Sequence, residues 1–457
     1  MSRPRPPATL RRLTKILYGA GDGGFSLILT LLGAYFAVFL TDVVGLAPGT
    51  AAAAIFVGRA WDCVNDPLLG HLTDRTRSRW GRRRPYILFG ALPLAAAYLL
   101  LWWRPPLESQ VSLAAYYAVA YLLFDTAATL VYMPYFALTP ELTTDYDERT
   151  SLTSWRMLFS ILGSLVAFPV PLAVIGSFRP ENAARVFTVA STFAAVCVGG
   201  LLLTFLGTRE RPEYLATPPP KLASSVKAAL RNRPFLFGLA IYLFTWLAVD
   251  IVQAVLIYYV KYALRREAQS EILVGVIFVA AIPALALWGR LARIWDKRVA
   301  YIAGVAFWAA VQVILTLSVG PSTSLGVLVA LCVLAGIGVG AAHVLPWSIL
   351  PDAVEWDEWQ TGERHEGMFY SLVTLAQKAA SAASIPLVLL ALEAAGYRAA
   401  VPEQAPAVVR AIRIVTGPIP AALLCLGILS ALLYPLTRER YTQIARELEE
   451  RRAGGRR

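Results

Sequence analysis

Two carboxylates four residues apart, inside a run that otherwise reads as apolar, are the first chemistry this sequence offers. The stretch IFVGRAWDCVNDPLLGHLTD, beginning at Ile55, puts Asp62 and Asp66 on one helical face. Arg59 lies one turn earlier on that face and Asn65 flanks the pair. Pro67 would free a backbone carbonyl one turn earlier, near Cys63. A charged side chain at a bilayer centre costs about 2.5–3.5 kcal/mol on insertion scales, so three in one span require partners and an interior cavity. Paired carboxylates with amide or carbonyl oxygens suit a hard monovalent cation or a proton. An Arg–Asp pair that only locks helices is the alternative, and it fits Asp66 poorly because Arg59 reaches it poorly. A lysine, Lys378, stands deep in FYSLVTLAQKAASAAS, too far in to snorkel easily. It wants a carboxylate, and the Asp62/Asp66 pair is the candidate, with Thr374 one turn before it. Such a contact would cross a transport pathway. Further polar groups in apolar runs are Asp22, Ser26, Asp125, Thr129, Tyr132, Arg156, Asp250, Gln253, Gln312 and His343. Gln253 and Gln312 suit helix–helix hydrogen bonds. Asp22 and Asp125 suit packing and function equally, and a lone histidine such as His343 is more often a satisfied core residue.

The elements that position these groups follow from composition. The chain has 457 residues, 57% hydrophobic and 16% charged, against about 25% charged in soluble domains. At about 20 residues per crossing, this is enough for around twelve membrane helices and little else. Apolar windows lie near 16–41, 48–72, 85–103, 111–139, 152–176, 184–207, 235–262, 271–289, 299–319, 324–350, 367–395 and 414–435. No alternating barrel pattern competes, so the fold class is all-α membrane protein. The net charge of +12 does not indicate nucleic acid, because the basic residues lie between apolar stretches. Of the Lys and Arg residues, thirty fall on the N-terminal side of the spans and nine on the other. Both termini are therefore expected in the cytoplasm, with the chain in the cell (inner) membrane. The basic N-terminus leads into a long apolar run without a small-residue cleavage site, so a first membrane helix is expected and not a removed signal.

The segment from 208 to 233, with PPP at 218–220, reads as a cytoplasmic linker between a six-helix bundle over 1–207 and a second over 234–457, which ends in a short charged tail. An internal repeat supports that cut. MPYFALTPELTTDYDER from Met133 and LPWSILPDAVEWDEW from Leu345 share Pro, an aromatic, Leu, Pro and a carboxylate, then an acidic-aromatic run. A weaker echo joins Gly70…Asp74…Gly81-Arg-Arg-Arg to Trp288-Gly-Arg…Asp296-Lys-Arg. Six helices per half with polar groups at mid-membrane is a transporter pattern. Glu141, Asp145, Asp352 and Glu355 sit level with Arg82, Arg83, Arg84, Arg290 and Arg293. Cross-half ion pairs closing the cytoplasmic side are expected there, with ordinary positive-inside charge as the alternative.

Other classes fit less well. Gly19-Ala-Gly-Asp-Gly-Gly24 matches GxGxxG but lies in the first span with no preceding strand. No Walker sequence occurs, and no nucleophile–base pair, CxxC pair or histidine cluster is present, so neither an enzyme nor a cofactor is expected.

GRAWDCVNDPLLGHLTDRTRSRWGRRRPYI (58–87), MPYFALTPELTTDYDERTSLTSWRM (133–157) and the 345–378 stretch resemble the glycoside–pentoside–hexuronide:cation symporters, the melibiose-permease branch of the major facilitator superfamily. The resemblance covers nearly the whole chain. It implies a major facilitator fold of twelve transmembrane helices in two six-helix bundles, alternating access, and symport of a small-molecule substrate driven by Na⁺, Li⁺ or H⁺. A monomer in a lipid bilayer suffices for this, with no nucleic-acid partner. By the same resemblance Asp62 and Asp66 match the family's cation carboxylates and Thr129 a position near the cation, and Asn65 joins them as the amide that flanks the pair. Lys378, Arg59 and Thr374 belong to coupling. Arg156 lies near the sugar, and Asp22, Ser26, Asp125, Tyr132, His343 and Trp347 are candidate substrate contacts. The departures are specific. The helix 1 aspartate that grips sugar in melibiose permease falls on Ser26, its helix 4 aspartate on Tyr132, and its stacking tryptophan on His343, although Trp347 lies one turn on. Loss of both carboxylates speaks against a galactoside. The sodium-dependent lysolipid symporters share GRAWDxxxDP and the PYxAL string, so an amphipathic or organic-anion substrate is the alternative to a sugar or glycoside.

Overall fold

The structure is a computed structural model that describes residues 10–143, 146–210, 231–361, 366–398, 401, 403–436 and 438–454. No strand occurs among them. The helices are α1 (Arg12–Val38), α2 (Pro48–Arg75), α3 (Arg84–Trp102), α4 (Gln110–Leu142), α5 (Tyr146–Ala167), α6 (Pro169–Ile175), α7 (Ala183–Gly207), α8 (Arg233–Tyr258), α9 (Ser270–Ile294), α10 (Lys297–Leu317), α11 (Leu325–Thr361), α12 (Glu366–Ala394), α13 (Pro406–Thr416), α14 (Pro418–Leu432) and α15 (Arg438–Gly454). Among the described residues, eleven helical segments are long and apolar enough to cross a membrane. Helix α2 has the length, at 28 residues, but Arg59, Asp62, Asn65 and Asp66 lower its hydropathy. Large apolar side chains such as Leu92, Val111, Val279 and Ile294 are exposed. A bilayer solvates such a surface and water does not.

The chain divides into two compact units. Unit 1 comprises Met1–Pro218 with Tyr397–Pro402, and unit 2 comprises Pro219–Gly396 with Glu403–Arg457. In unit 1, α1 packs on α5 and α7, α2 on α4, and α3 on α4 and α7. In unit 2, α8 packs on α12 and α14, α9 on α11, and α10 on α11 and α14. Counted by membrane helix within each unit, these are the same five pairings, and unit 2 adds α8 on α11. The first helix of each unit also ends alike, in a π-helical turn at Phe39–Val44 and at Tyr259–Ala263. The motif repeat in the sequence therefore reflects a repeat of packing.

Small residues let the first helix of unit 1 sit close to its neighbours. A Cβ on Gly24 would lie 2.6 Å from Cys197 Cα, and one on Gly163 would lie 2.5 Å from the Gly23 carbonyl. The GAGDGG string is thus a packing surface that brings α1 against α5 and α7. In unit 2 the core is aromatic. Trp288, Tyr301 and Trp308 are buried among Ala284, Ala341 and Leu345, and Trp288 Nε1 donates to the Ile337 carbonyl at 2.9 Å.

Candidate functional site

Helices α2 and α4 meet along a polar seam. Gly58 allows the approach, since a Cβ there would lie 2.4 Å from the Tyr121 ring. Arg59 Nε donates to Tyr121 Oη at 3.0 Å, and Trp61 Nε1 donates to Thr126 Oγ1 at 3.0 Å. One turn on, Asn65 Nδ2 faces both the carbonyl and the carboxylate of Asp125, each at 3.4 Å. Thr129 Oγ1 then donates to Asp66 Oδ1 at 3.1 Å. Tyr121, Asp125 and Thr129 are spaced by one turn each, so one face of α4 serves one face of α2. Asn65, Asp125 and Thr129 are buried, and Asp62 is half-buried. The structure brings Asp66, Asn65 and Thr129 together. It adds Asp125, which the sequence reading placed with the substrate. An oxygen-rich, anionic seam inside an apolar unit can hold a monovalent cation or take up a proton.

A second site lies between α1, α4 and α5. Asp22 Oδ2 stands 3.4 Å from Arg156 Nε, the two side chains being 9% and 13% exposed. The separation makes an ion pair, but the N–H direction misses the carboxylate, so Nε remains a buried donor without a hydrogen-bond partner among the described residues. The guanidinium lies over Phe136, 4.3 Å from the ring centroid. Tyr132 packs on Phe136 at 4.2 Å and edge-on against Phe25 at 4.9 Å. Tyr135 fixes the backbone beneath Asp22. Its hydroxyl accepts from Asp22 N at 3.1 Å and donates to the Tyr18 carbonyl at 2.7 Å. That inserts a side chain between the two groups of one helical rung, a recognised cause of bending. Ser26 shares a 2.5 Å hydrogen bond with Ser160, so it joins α1 to α5 one turn from the ion pair. Asp22 is the carboxylate of this ion pair, with Ser26 and Tyr132 as uncharged neighbours.

In unit 2, α8, α11 and α12 bring aromatic and polar groups together. Trp246 meets His343 edge-on at 5.4 Å, Tyr242 meets Trp347 at 4.9 Å, and Tyr242 stacks with Trp246 at 5.7 Å. His343 Nδ1 lies 2.9 Å from the Val339 carbonyl of its own helix. Tyr242 Oη donates to Gln377 Oε1, and Ser381 Oγ donates to Asp250 Oδ2. Lys378 is half-buried and Thr374 exposed on the same helix. Tyr242, Trp246, Gln377 and Ser381 were missed in the sequence reading, and Asp250 was noted without a role. The signal was present: Tyr242, Trp246 and Asp250 recur every fourth residue on α8, as Gln377 and Ser381 do on α12.

Several of the expected gate residues have partners within their own units. The backbone amides of Arg82, Arg83 and Arg84 all donate to the Glu210 carboxylate. Asp352 pairs with Lys297 at 2.6 Å, and Arg293 Nε donates to the Gly289 carbonyl of its own helix at 3.3 Å. Arg290 is exposed and Glu355 half-buried. Burial pushes the Tyr441 phenol up, and its hydrogen bond to the Glu355 carboxylate adds to that rise. Asp145 and the side chain of Glu141 lie outside the described residues. Among the described residues, no group of three or more His, Cys, Asp or Glu side chains could hold a metal ion.

A family model described as MFS/sugar transport protein matches residues 17–438. An uncharacterized symporter from Synechocystis sp. is 32% identical, covering 99% of this chain and 99% of its own. A sodium-dependent lysophosphatidylcholine symporter 1-A from Danio rerio is 30% identical over 96% of this chain and 88% of its own. Among solved structures, a D-xylose-proton symporter superposes with a TM-score of 0.66 at 15% identity, covering 93% of this chain and 97% of that one, which shows the fold. The fold and these relatives agree: the chain belongs to the MFS/sugar transport protein family, and it is a multi-pass membrane transporter that works by cation-coupled symport and not an enzyme.

Proposed function

We propose that the cation binds along the α2–α4 seam, at Asp62, Asp66, Asn65 and Thr129 with Asp125 beside them, and that Na⁺, Li⁺ or H⁺ drives uptake of a sugar or glycoside in the manner of the melibiose-permease branch. The observation that carries the cation site is the Thr129–Asp66 hydrogen bond, with Asn65 one residue away facing Asp125. The sodium dependence named for the Danio rerio relative favours Na⁺. The substrate site of this reading is built on Asp22 and Arg156, which offer planar acceptors and donors to hydroxyl groups, and on the rings of Tyr132 and Phe136, which offer an apolar face. Ser26, His343 and Trp347 are further substrate contacts. Lys378, Arg59 and Thr374 are the coupling residues. The basic and acidic groups of the signature loops, Arg82, Arg83, Arg84, Glu141, Asp145, Arg290, Arg293, Asp352 and Glu355, form the cytoplasmic gate. The charge asymmetry supports cytoplasmic termini and an inner-membrane location. One chain holds both units, which supports a functional monomer in the bilayer.

A second reading takes a lysolipid-like amphiphile as substrate. The lysophosphatidylcholine symporters among the full-length relatives favour it, as does the ion pair Asp22–Arg156, whose two charges match a zwitterionic headgroup. Counterflow in proteoliposomes decides between them. Labelled glycosides and lysophospholipids are tested separately, with Na⁺, Li⁺ or neither, each at two pH values. Cation-stimulated exchange of a glycoside supports the first reading, and exchange of lysophospholipids alone supports the second. Exchange that ignores Na⁺, Li⁺ and pH contradicts both.

A further inference from the structure

Each unit ties the loop between its second and third membrane helices to the segment that leaves its sixth. In unit 1 the loop supplies the donors. Gly81 adopts φ +109, which turns the amides of Arg82, Arg83 and Arg84 toward one point at the start of α3. Glu210, three residues beyond α7, fills that point. Its carboxylate accepts from Arg82 N at 2.5 Å, Arg83 N at 2.7 Å and Arg84 N at 2.8 Å. A Cβ on Gly81 would lie 2.5 Å from that carboxylate, so both the backbone turn and the space demand glycine. Arg84 closes the loop on α7, with Nη2 donating to the Phe205 carbonyl at 2.7 Å. Arg83 Nη1 reaches back to Thr73 of α2 at 3.1 Å.

In unit 2 donor and acceptor change places. The loop supplies the carboxylate, Asp296. Its Oδ1 accepts from Arg298 N at 2.7 Å and caps α10, while its Oδ2 accepts from Arg438 N at 3.0 Å at the start of α15. Arg438 Nη1 then donates to the carbonyl of Trp295 at 2.9 Å and of Ile294 at 3.2 Å. Trp359 Nε1 holds Glu447 further along α15 at 2.7 Å. The weak sequence echo between Gly81-Arg-Arg-Arg and Asp296-Lys-Arg therefore marks one device built twice.

We propose that Glu210 and Asp296 are positioning residues of two equivalent clips, and that the unit 1 clip couples α2, through Thr73 and the 81–84 turn, to the start of the linker. Because α2 carries Asp62 and Asp66, the coupling to cation binding rests on the function proposed above; the clips themselves do not. A carboxylate that holds three amides fixes the end of α7 to the loop, so a movement of α2 reaches residue 210 without passing through the membrane core.

Hydrogen exchange by mass spectrometry on the full chain in nanodiscs tests this, with 100 mM NaCl compared with choline chloride. Glu210→Ala is expected to raise exchange at least tenfold at 82–84 and at 206–210. It should abolish any Na⁺ response at 206–210 while leaving the Na⁺ response of 59–66 in place. Glu210→Gln keeps one acceptor oxygen and folds as a near-isostere, and it should give less than a third of that increase. Asp296→Asn keeps the α10 cap and should raise exchange at 438–447 at least tenfold with no change at 82–84. Exchange within twofold of wild type in Glu210→Ala, an equal increase in Glu210→Gln, or an unaltered 438–447 in Asp296→Asn overturns the clips. Absence of a Na⁺ response at 206–210 in a wild type that responds at 59–66, or a response at 206–210 that persists in Glu210→Ala, overturns the coupling. Absence of a Na⁺ response at 59–66 in wild type counts against Na⁺ at the cation site, and the clip readouts stand apart from it.

Discussion

The ion pair between Asp22 and Arg156 is the most exposed point of the substrate-site argument, because its energetics are calculable. At 3.4 Å, two unit charges attract by about 5 kcal/mol at an effective dielectric of about 20. Desolvation of both groups offsets much of that gain, so the pair as a whole adds little stability. Removing one partner is another matter: the remaining charge is buried and uncompensated, which costs about 3–5 kcal/mol. Arg156→Met keeps much of the side-chain volume against Phe136 and leaves Asp22 alone. Asp22→Asn leaves the guanidinium alone. Each is expected to destabilise by about 3 kcal/mol or more, while the double variant returns to within about 1 kcal/mol of wild type. Reversible unfolding of the purified chain in mixed micelles gives all four corners of the cycle. Substrate exchange should be lost in both single variants and in the double variant, since stability is restored without the recognition groups. Single variants that each cost under about 0.5 kcal/mol, with no coupling between them, would refute the pair as a unit. Wild-type exchange in the stable double variant would remove it from the substrate site.

Three further predictions follow from the seam and the coupling residues. Asp62→Cys and Asp66→Cys should abolish concentrative uptake while leaving exchange down a gradient, as measured in proteoliposomes; unchanged accumulation in both sinks the cation assignment. Thr129→Val removes the hydroxyl that donates to Asp66. A hydrogen bond to a charged group contributes about 1.5–3 kcal/mol, so the half-saturating cation concentration should rise about 10- to 100-fold, and an unshifted Na⁺ or Li⁺ curve contradicts this. Lys378→Ala should yield a folded protein with altered cation dependence and defective accumulation, and wild-type ion dependence would exclude a coupling role.

Much of this molecule is determined by linear sequence. Membrane spans are legible because a bilayer demands long apolar helices whatever their neighbours are. The expectation of two six-helix halves comes from the Met133 and Leu345 motifs, which repeat at corresponding places. Asp62 and Asp66 are conspicuous because charge inside a span is costly, and helical periodicity alone puts them on one face. Partners across helices are set by packing, and packing is long-range. Nothing near Asp125 in the chain says that it joins Asn65 instead of Arg156. Nothing near Asp22 says that Arg156 is its counter-charge, 134 positions away, or that Tyr135 is wedged into its helical rung. Arg82, Arg83 and Arg84 read as side-chain charge, yet their backbone amides do the holding, through a glycine turn and a glutamate beyond α7. One-dimensional patterns fix which residues must be buried and which helices must form. Only the tertiary structure decides which buried polar group satisfies which other, because that depends on where small residues such as Gly24 and Gly58 let two helices approach.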